Sequence, residues 1–206
     1  MPWRPATSGQ RLKYLGKPLD RRHERNHMAA LQIVHLHDPT PEIAAAFTRW
    51  ESDPTLAALT RPNKSQEDID RRHVVTTDDL VKRLTHGHIY LLYLEGRLLG
   101  EMNYQVDPSQ VLKPTPGTAW IGVTIGEADG RGKGLGRQAL QYLEQQIRVH
   151  RLRRIELGVF AFNTRAQRLY EQLGFCEIGR VEAFTYWQGQ MWPDIRMEKY
   201  LDERTT

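Results

Sequence analysis

Residues 129–136 read DGRGKGLG, and the run RQALQYLEQQI follows at once. Glycine strips away side-chain bulk, so successive backbone N–H groups can converge. A helix N-terminus placed directly after them adds unpaired donors and the positive end of a helix dipole. The chemistry on offer is anion binding, and several readings compete for it. A nucleotide P-loop fails on spacing, because five residues rather than four separate Gly126 from Gly132 and Lys133, and Gly134 stands where Ser or Thr would meet magnesium. A dinucleotide fingerprint is nearer: Gly134, Gly136 and Ala139 fit GxGxxA, and Glu156 follows Gly136 by twenty residues. Yet about eight loop-like residues follow Ile125 before it, and Glu156 falls inside a strand rather than at its end. A third reading has Arg131 open a turn whose N–H groups converge with the helix start on a pyrophosphate. A plain flexible turn is the alternative without function.

Other reactive side chains carry weaker signals. His35 with His37 and His86 with His88 form two H-x-H pairs, a spacing that sets both imidazoles on one strand face and that zinc can use. No carboxylate or cysteine completes a set, so no metal is expected. Cys176, the single cysteine, cannot form an internal disulfide and is expected to pack in a core strand after Leu173, Gly174 and Phe175.

The elements that must position these residues fit one domain, since 206 residues with 39% hydrophobic content suffice for a sizeable core. No apolar stretch approaches the ~20 residues of a membrane span, and residues 1–27 lack the apolar centre of a secretion signal, so a cytoplasmic protein is expected. The net charge of +4 is local: residues 1–30 carry seven Lys and Arg against Asp20 and Glu24, leaving the remainder at −1. Residues 1–28 are expected to be a solvated, poorly ordered basic extension rather than a nucleic-acid grip, with Met28 a candidate natural start and 29–206 a single domain. Past it, LQIVHLH alternates as a strand, and residues 41–51 open on Pro41 and Glu42 with Ile43, Ala46, Phe47 and Trp50 on one helical stripe. A polar stretch over 52–79 ends in a helix capped by Asp78. Two strands around a Glu95-Gly96 turn form a hairpin. TAWIGVTI is a strand before the glycine loop, and Leu135, Ala139, Leu140, Leu143 and Ile147 mark the buried face of the helix after it. Strand RIELGVF, a helix capped by Asn163 and stopped by Gly174, and a closing hairpin finish the chain. The pattern predicts an α/β fold with a mixed, mostly antiparallel sheet, its strand-helix-strand unit a parallel crossover.

With these elements in place, RGKGLG matches the R/Q-x-x-G-x-G/A element of the GNAT superfamily of acetyl-CoA-dependent N-acetyltransferases, and NTRAQRLYEQLGF matches the Asn-to-Tyr helix that follows it there. The chain resembles that family over about residues 31–201, and FTYWQGQMWPDIRMEKYL resembles the branch holding ribosomal-protein N-terminal acetyltransferases. The resemblance implies an acyl-CoA N-acyltransferase fold and an enzyme that moves an acetyl group from acetyl-CoA, its co-substrate, to a primary amine in a ternary complex. The expected partners are an amine acceptor (a peptide N-terminus, a polyamine or another small amine), no membrane, and no nucleic acid; a homodimer stays open. The alternative is a related module that binds acyl-CoA as a sensor without turnover.

By that resemblance, Ile125, Arg131, Gly132, Lys133, Gly134, Leu135, Gly136, Arg137, Asn163 and Tyr170 would hold the cofactor, the last residues of TAWIGVTI leaving their sheet partner to pair with the pantetheine arm. Asn163 and Tyr170 stand two helical turns apart and would face the arm and its sulfur, with Tyr170 protonating the thiolate. The amine arrives protonated, so a base is needed. Many relatives carry a Glu at the position of Trp120 here, and its absence is the feature that favours the sensor. Glu127 is taken with Tyr170 as the catalytic pair, beside Glu101, Glu156 and a water relay. Glu51, Asp53, Glu67, Asp68, Asp70, Asp78 and Asp79 lie between the first two strands, at the expected acceptor entrance, and would attract a cationic amine. Phe184, Tyr186, Trp187 and Trp192 either wall that site or pack the last hairpin.

Overall fold

The computed structural model describes residues 31–201. The extension 1–28 and Met28 lie outside the described residues. Strand β1 (Gln32–His35) leads into helix α1 (Pro41–Glu51), where Thr40 accepts from the Ile43 N–H at 3.4 Å and Pro41 sits where no donor is needed. The polar stretch after it is not featureless. It holds α2 (Pro54–Thr60) and α3 (Gln66–Asp70), both too short to display a hydrophobic period but each started by a cap: Asp53 accepts from Thr55 N at 2.9 Å and Ser65 from Asp68 N at 3.3 Å. Helix α4 (Thr77–Leu84) is capped by Thr76, not by Asp78. Thr76 and Asp79 exchange side-chain-to-backbone bonds of 3.2 and 3.0 Å in a capping box.

Strands β2 (Gly87–Leu94) and β3 (Arg97–Val106) meet at Glu95 and Gly96, both at positive φ, the hand that matches strand twist. Then come β4 (Thr118–Ile125), α5 (Leu135–Val149), β5 (Arg154–Phe160), α6 (Thr164–Gln172), β6 (Cys176–Trp187) and β7 (Gln190–Tyr200). The seven strands run in the order β1-β2-β3-β4-β5-β7-β6, and only β4 and β5, joined through α5, are parallel. This is the mixed, mostly antiparallel sheet the pattern predicts. No helix among the described residues is long and apolar enough to cross a membrane. Cys176 corrects an expectation: it opens the edge strand β6 and is exposed, because alternation within a strand does not report whether that strand is central.

One sheet face carries the main core, where Tyr90, Met102, Ile121, Leu157 and Met197 meet Ala139, Leu143 and Ile147 of α5. Across β1 to β3 the other face buries Ile89 and Leu91 against Phe47, Trp50 and Leu80. Across β5 and β7 that second face is charged. Arg154, 1% exposed, bonds Glu198 at 2.7 Å and the Lys113 carbonyl at 2.9 Å and is paired with Glu156, while Arg196 donates to the Gln110 carbonyl at 2.7 Å. The loop after β3 thus lies over buried ion pairs whose lone pairs and protons are mostly matched, the condition under which burying charge is tolerated.

The feature that makes a site is a gap. β4 and β5 pair only over Thr118–Trp120 with Arg154–Glu156. Beyond them β4 stays with β3 up to Ile125, and β5 stays with β7 up to Phe160. The sheet opens between its two parallel strands, and backbone donors and acceptors on the facing edges are left without sheet partners.

Candidate active site

The far end of β4 separates two cavities. Val123 and Ile125 line one of about 380 Å³, together with the glycine loop, the start of α5, and Asn163, Leu169 and Tyr170 from α6 and its cap. Thr124 lines the other, of about 330 Å³, with Phe47 and Trp50 of α1, Arg83 of α4 and Glu101 and Asn103 of β3. Alternation along one strand therefore puts successive side chains into different chambers.

In the first cavity the loop takes the shape its composition requires. Gly132 and Gly134 sit at φ of 80° and 78°, the left-handed region that side chains resist, and Gly134 is the N-cap of α5. The Arg131 side chain folds back to the Ile125 and Gly126 carbonyls at 3.1 and 2.7 Å and approaches Asp53 at 3.7 Å, tying the loop to the end of β4. A Cβ on Gly126 would lie 2.2 Å from the Trp50 ring, so α1 also presses on this junction. The N–H groups of Gly132 through Gly136 meet no acceptor among the described residues. A pyrophosphate fits that arrangement of free donors at a helix start. Of the ten cofactor residues named from the sequence, all but Lys133 line this cavity. The sequence reading missed Val123, Leu140, Arg165, Ala166 and Leu169; Arg165, two residues past the Asn163 cap, was visible as a cation at a helix start. Asn163 accepts from Ala166 N at 3.2 Å, which leaves its amide N–H groups for a ligand. The Tyr170 ring stands against Phe175, and burial pushes its hydroxyl up to about 12.

Among the acids, geometry separates what the sequence left level. Glu127 accepts from Arg49 at 2.9 Å and from the Trp50 indole at 3.0 Å, and those bonds hold its carboxyl below the usual range. Glu156 is fully buried and engaged by Arg154 and by the Leu112 and Lys113 N–H groups. Glu101, 7% exposed, lines the second cavity, and burial raises its carboxyl to about 7 against the opposing pull of Asn103, which donates to it at 3.0 Å, of Thr124 and of Arg83. Trp120 lies under the Arg196 guanidinium at 4.8 Å and offers no carboxylate.

The acidic stretch expected at the acceptor entrance is mostly committed elsewhere. Asp53 caps α2, Asp79 completes the capping box of α4, Asp68 pairs with Arg71 at 3.0 Å, and Asp70 accepts from Gln66 at 3.0 Å. Of that set only Glu51 lines the second cavity. Phe184, Tyr186, Trp187 and Trp192 line neither cavity; Trp187 and Trp192 close on Phe162, which is packing of the hairpin. Of the H-x-H pairs, His35 and His37 stay together, their rings edge-on with centroids 4.2 Å apart, whereas no ring contact joins His86 to His88 among the described residues. His35 and His88 approach to 3.3 Å across the strands, stacked on Tyr90 and Tyr104, while His37 and His86 fall outside β1 and β2. Among the described residues no group of three or more His, Cys, Asp or Glu side chains is placed to hold a metal ion.

A sheet split between two parallel strands, with a glycine-rich helix start on one side and a carboxyl on the other, has the anion-binding and proton-accepting groups that an acyl-CoA-dependent transferase needs. Residues 44–175 match the acetyltransferase (GNAT) family, and the chain belongs to that family. It is an acetyl-CoA-dependent N-acetyltransferase. It is 29% identical over 128 residues to the spermine/spermidine N(1)-acetyltransferase of Bacillus subtilis, an alignment covering 60% of this chain and 83% of that protein. Its fold resembles a putative acetyltransferase from Salmonella typhimurium, solved with its cofactor acetyl-CoA, at a TM-score of 0.65 and 21% identity over 86% of this chain and 98% of that one. It also resembles a ribosomal-protein-alanine N-acetyltransferase from Brucella melitensis, at 0.66 and 19% over 82% and 99%.

Proposed function

We propose that the enzyme acetylates a primary amine by direct attack in a ternary complex, with Glu101 as the base and Tyr170 as the donor to the departing sulfur. The observation that carries this reading is the placement of Glu101 and Tyr170 in separate cavities on opposite sides of the end of β4. The relatives named for spermine and spermidine support an amine as acceptor.

Acetyl-CoA supplies an acetyl group activated as a thioester. Gly132 through Gly136 offer their N–H groups to its pyrophosphate, and the unpaired edge of β4 lies along the arm. Glu101 takes one proton from the arriving ammonium, freeing the lone pair that forms the C–N bond, and the second proton that nitrogen loses as the tetrahedral adduct collapses ends on the departing thiolate. Backbone N–H groups at the splayed end of β4 can stabilise the oxygen as it gains charge. As the C–S bond breaks, Tyr170, protonated at neutral pH, donates a hydrogen bond to the sulfur. Of the acids named from the sequence, Glu101 replaces Glu127 as the favoured base, because it is held in no direct ion pair, as Glu127 is by Arg49, and titrates near the working pH.

The test is CoA release from acetyl-CoA in the presence of a panel of amines. Amine-dependent release that falls by about 10²-fold or more in Glu101→Gln and little in Glu127→Gln supports this assignment, since general-base help is of that size. The opposite ranking returns the role to Glu127.

A further inference from the structure

The charges of the acceptor-side cavity do not suit a polycation. Glu51, Arg61, Arg83 and Glu101 are its carboxyl and guanidinium side chains. Glu51 is taken by Arg83, which grips both of its oxygens at 2.6 and 3.2 Å. Arg61 has no carboxylate contact among the described residues: Nε donates to Asn63 Oδ1 at 3.3 Å, Nη1 to the Glu51 carbonyl at 3.1 Å, and Nη2 to the Asp68 and Arg71 carbonyls at 2.8 and 3.5 Å. A guanidinium has five N–H groups, so one on Nη1 remains. Among the described residues Glu101 is therefore the one lining acid with no ion pair, although Arg83 attracts it from a distance, and Arg61 the one lining guanidinium with none.

Resting on the acetyltransferase reading above, we propose that the acceptor is a small amine that also carries an anionic group, an amino-acid-like zwitterion, whose amine addresses Glu101 and whose anion faces Arg61. Once Glu101 has taken the amine proton, the acceptor retains only its negative charge, and Arg61 is the group that balances it. A polyamine brings further positive charge into a chamber that already holds two arginines and offers no second free carboxylate, an arrangement that disfavours it in a confined, partly desolvated site. The chamber volume of about 330 Å³ suits a molecule of metabolite size.

Matched acceptors test this with the full chain and acetyl-CoA, by chromatographic measurement of CoA formed. A set of α-amino acids is compared with the corresponding carboxamides, and with spermidine. The expected result is a kcat/KM at least about tenfold higher for a free carboxylate than for its carboxamide, and higher than for spermidine. Arg61→Gln should raise the KM of the carboxylate acceptor about tenfold while the KM for acetyl-CoA stays in place. Arg61 also holds the turn after α2, so the matched pair decides the matter if that variant does not fold. Equal use of the carboxamides, or preference for spermidine, overturns the zwitterion proposal and leaves the acetyltransferase reading intact. Binding of acetyl-CoA by calorimetry with no CoA release from any amine sinks both.

Discussion

Glu101 owes its raised carboxyl to burial on β3, and the sign of that shift fixes two consequences. As a base it must be ionised, so kcat/KM should climb with pH through about 7, and the limb should vanish in Glu101→Gln. For stability the direction reverses. A carboxyl whose value rises on folding, here from 4.5 to about 7, imposes no penalty below the lower value and a full one above the upper, about 3 kcal/mol from that span. Glu101→Gln should thus be more stable than the wild type at pH 8 and similar near pH 4 by denaturant unfolding, while turning over more slowly; a variant both slow and less stable at pH 8 would mark Glu101 as a packing residue. Tyr170 calls for a different expectation. Its hydroxyl, near 12, stays protonated, and complete transfer to a thiolate of about 8.5 is uphill by several units, so a hydrogen bond rather than proton delivery is its contribution. Losing a bond to a charged atom costs about 1.5–3 kcal/mol, so Tyr170→Phe should lower kcat by roughly 10- to 100-fold with little change in the KM for acetyl-CoA.

The glycine loop and α5 form one device, and substitutions at two of its glycines should part company. Gly134 lies at positive φ with open space around it, so Gly134→Ala should cost about 1–2 kcal/mol of stability through backbone strain. Gly136 is already within α5, where an added Cβ would touch Leu169 at an ordinary 3.6 Å, so Gly136→Val should fold well. Its side chain would instead enter the cavity that Gly136 lines, and the KM for acetyl-CoA should rise at least about tenfold by steady-state kinetics with the acceptor KM unmoved. The lining of this proposed cofactor cavity was legible in the sequence because its parts are contiguous: a loop, the helix after it, and the Asn163 to Tyr170 helix two elements on. The acceptor side was not, since α1, the turn at Arg61, α4, β2 and β3 each give only one or a few side chains to it, and α2 and α3 are too short to show a period. Glu101 and Glu127 look alike in a sequence; only burial and the Arg49 and Trp50 contacts tell them apart. Helix α4 offers a check on that assembly. Thr76→Ala removes half of its capping box, worth about 1 kcal/mol and a Tm fall of about 2–4 °C, and by loosening Arg83 should raise the KM of the acceptor but not that of acetyl-CoA.

At the scale of the molecule, the seven-stranded sheet is both scaffold and partition. Its outer strands are held by antiparallel pairing on each flank, so the gap between β4 and β5 is braced from both sides and is present in the fold before any ligand arrives. The two chambers open on different sides of the end of β4, so under the proposed assignment the cofactor and the amine need not take turns in one site. Nor is there an obvious covalent relay. The single cysteine sits on the exposed edge of β6 and lines neither chamber. Both observations fit the proposed transfer without an acetyl-enzyme. Initial rates over a grid of the two substrates should then give intersecting double-reciprocal lines, and mixing the enzyme with acetyl-CoA alone should release no stoichiometric burst of CoA. Cys176→Ala should retain wild-type rates. Parallel lines together with a burst that survives Cys176→Ala would mean that some other side chain accepts the acetyl group first, and that the partition formed by β4 is crossed by the protein rather than by the amine.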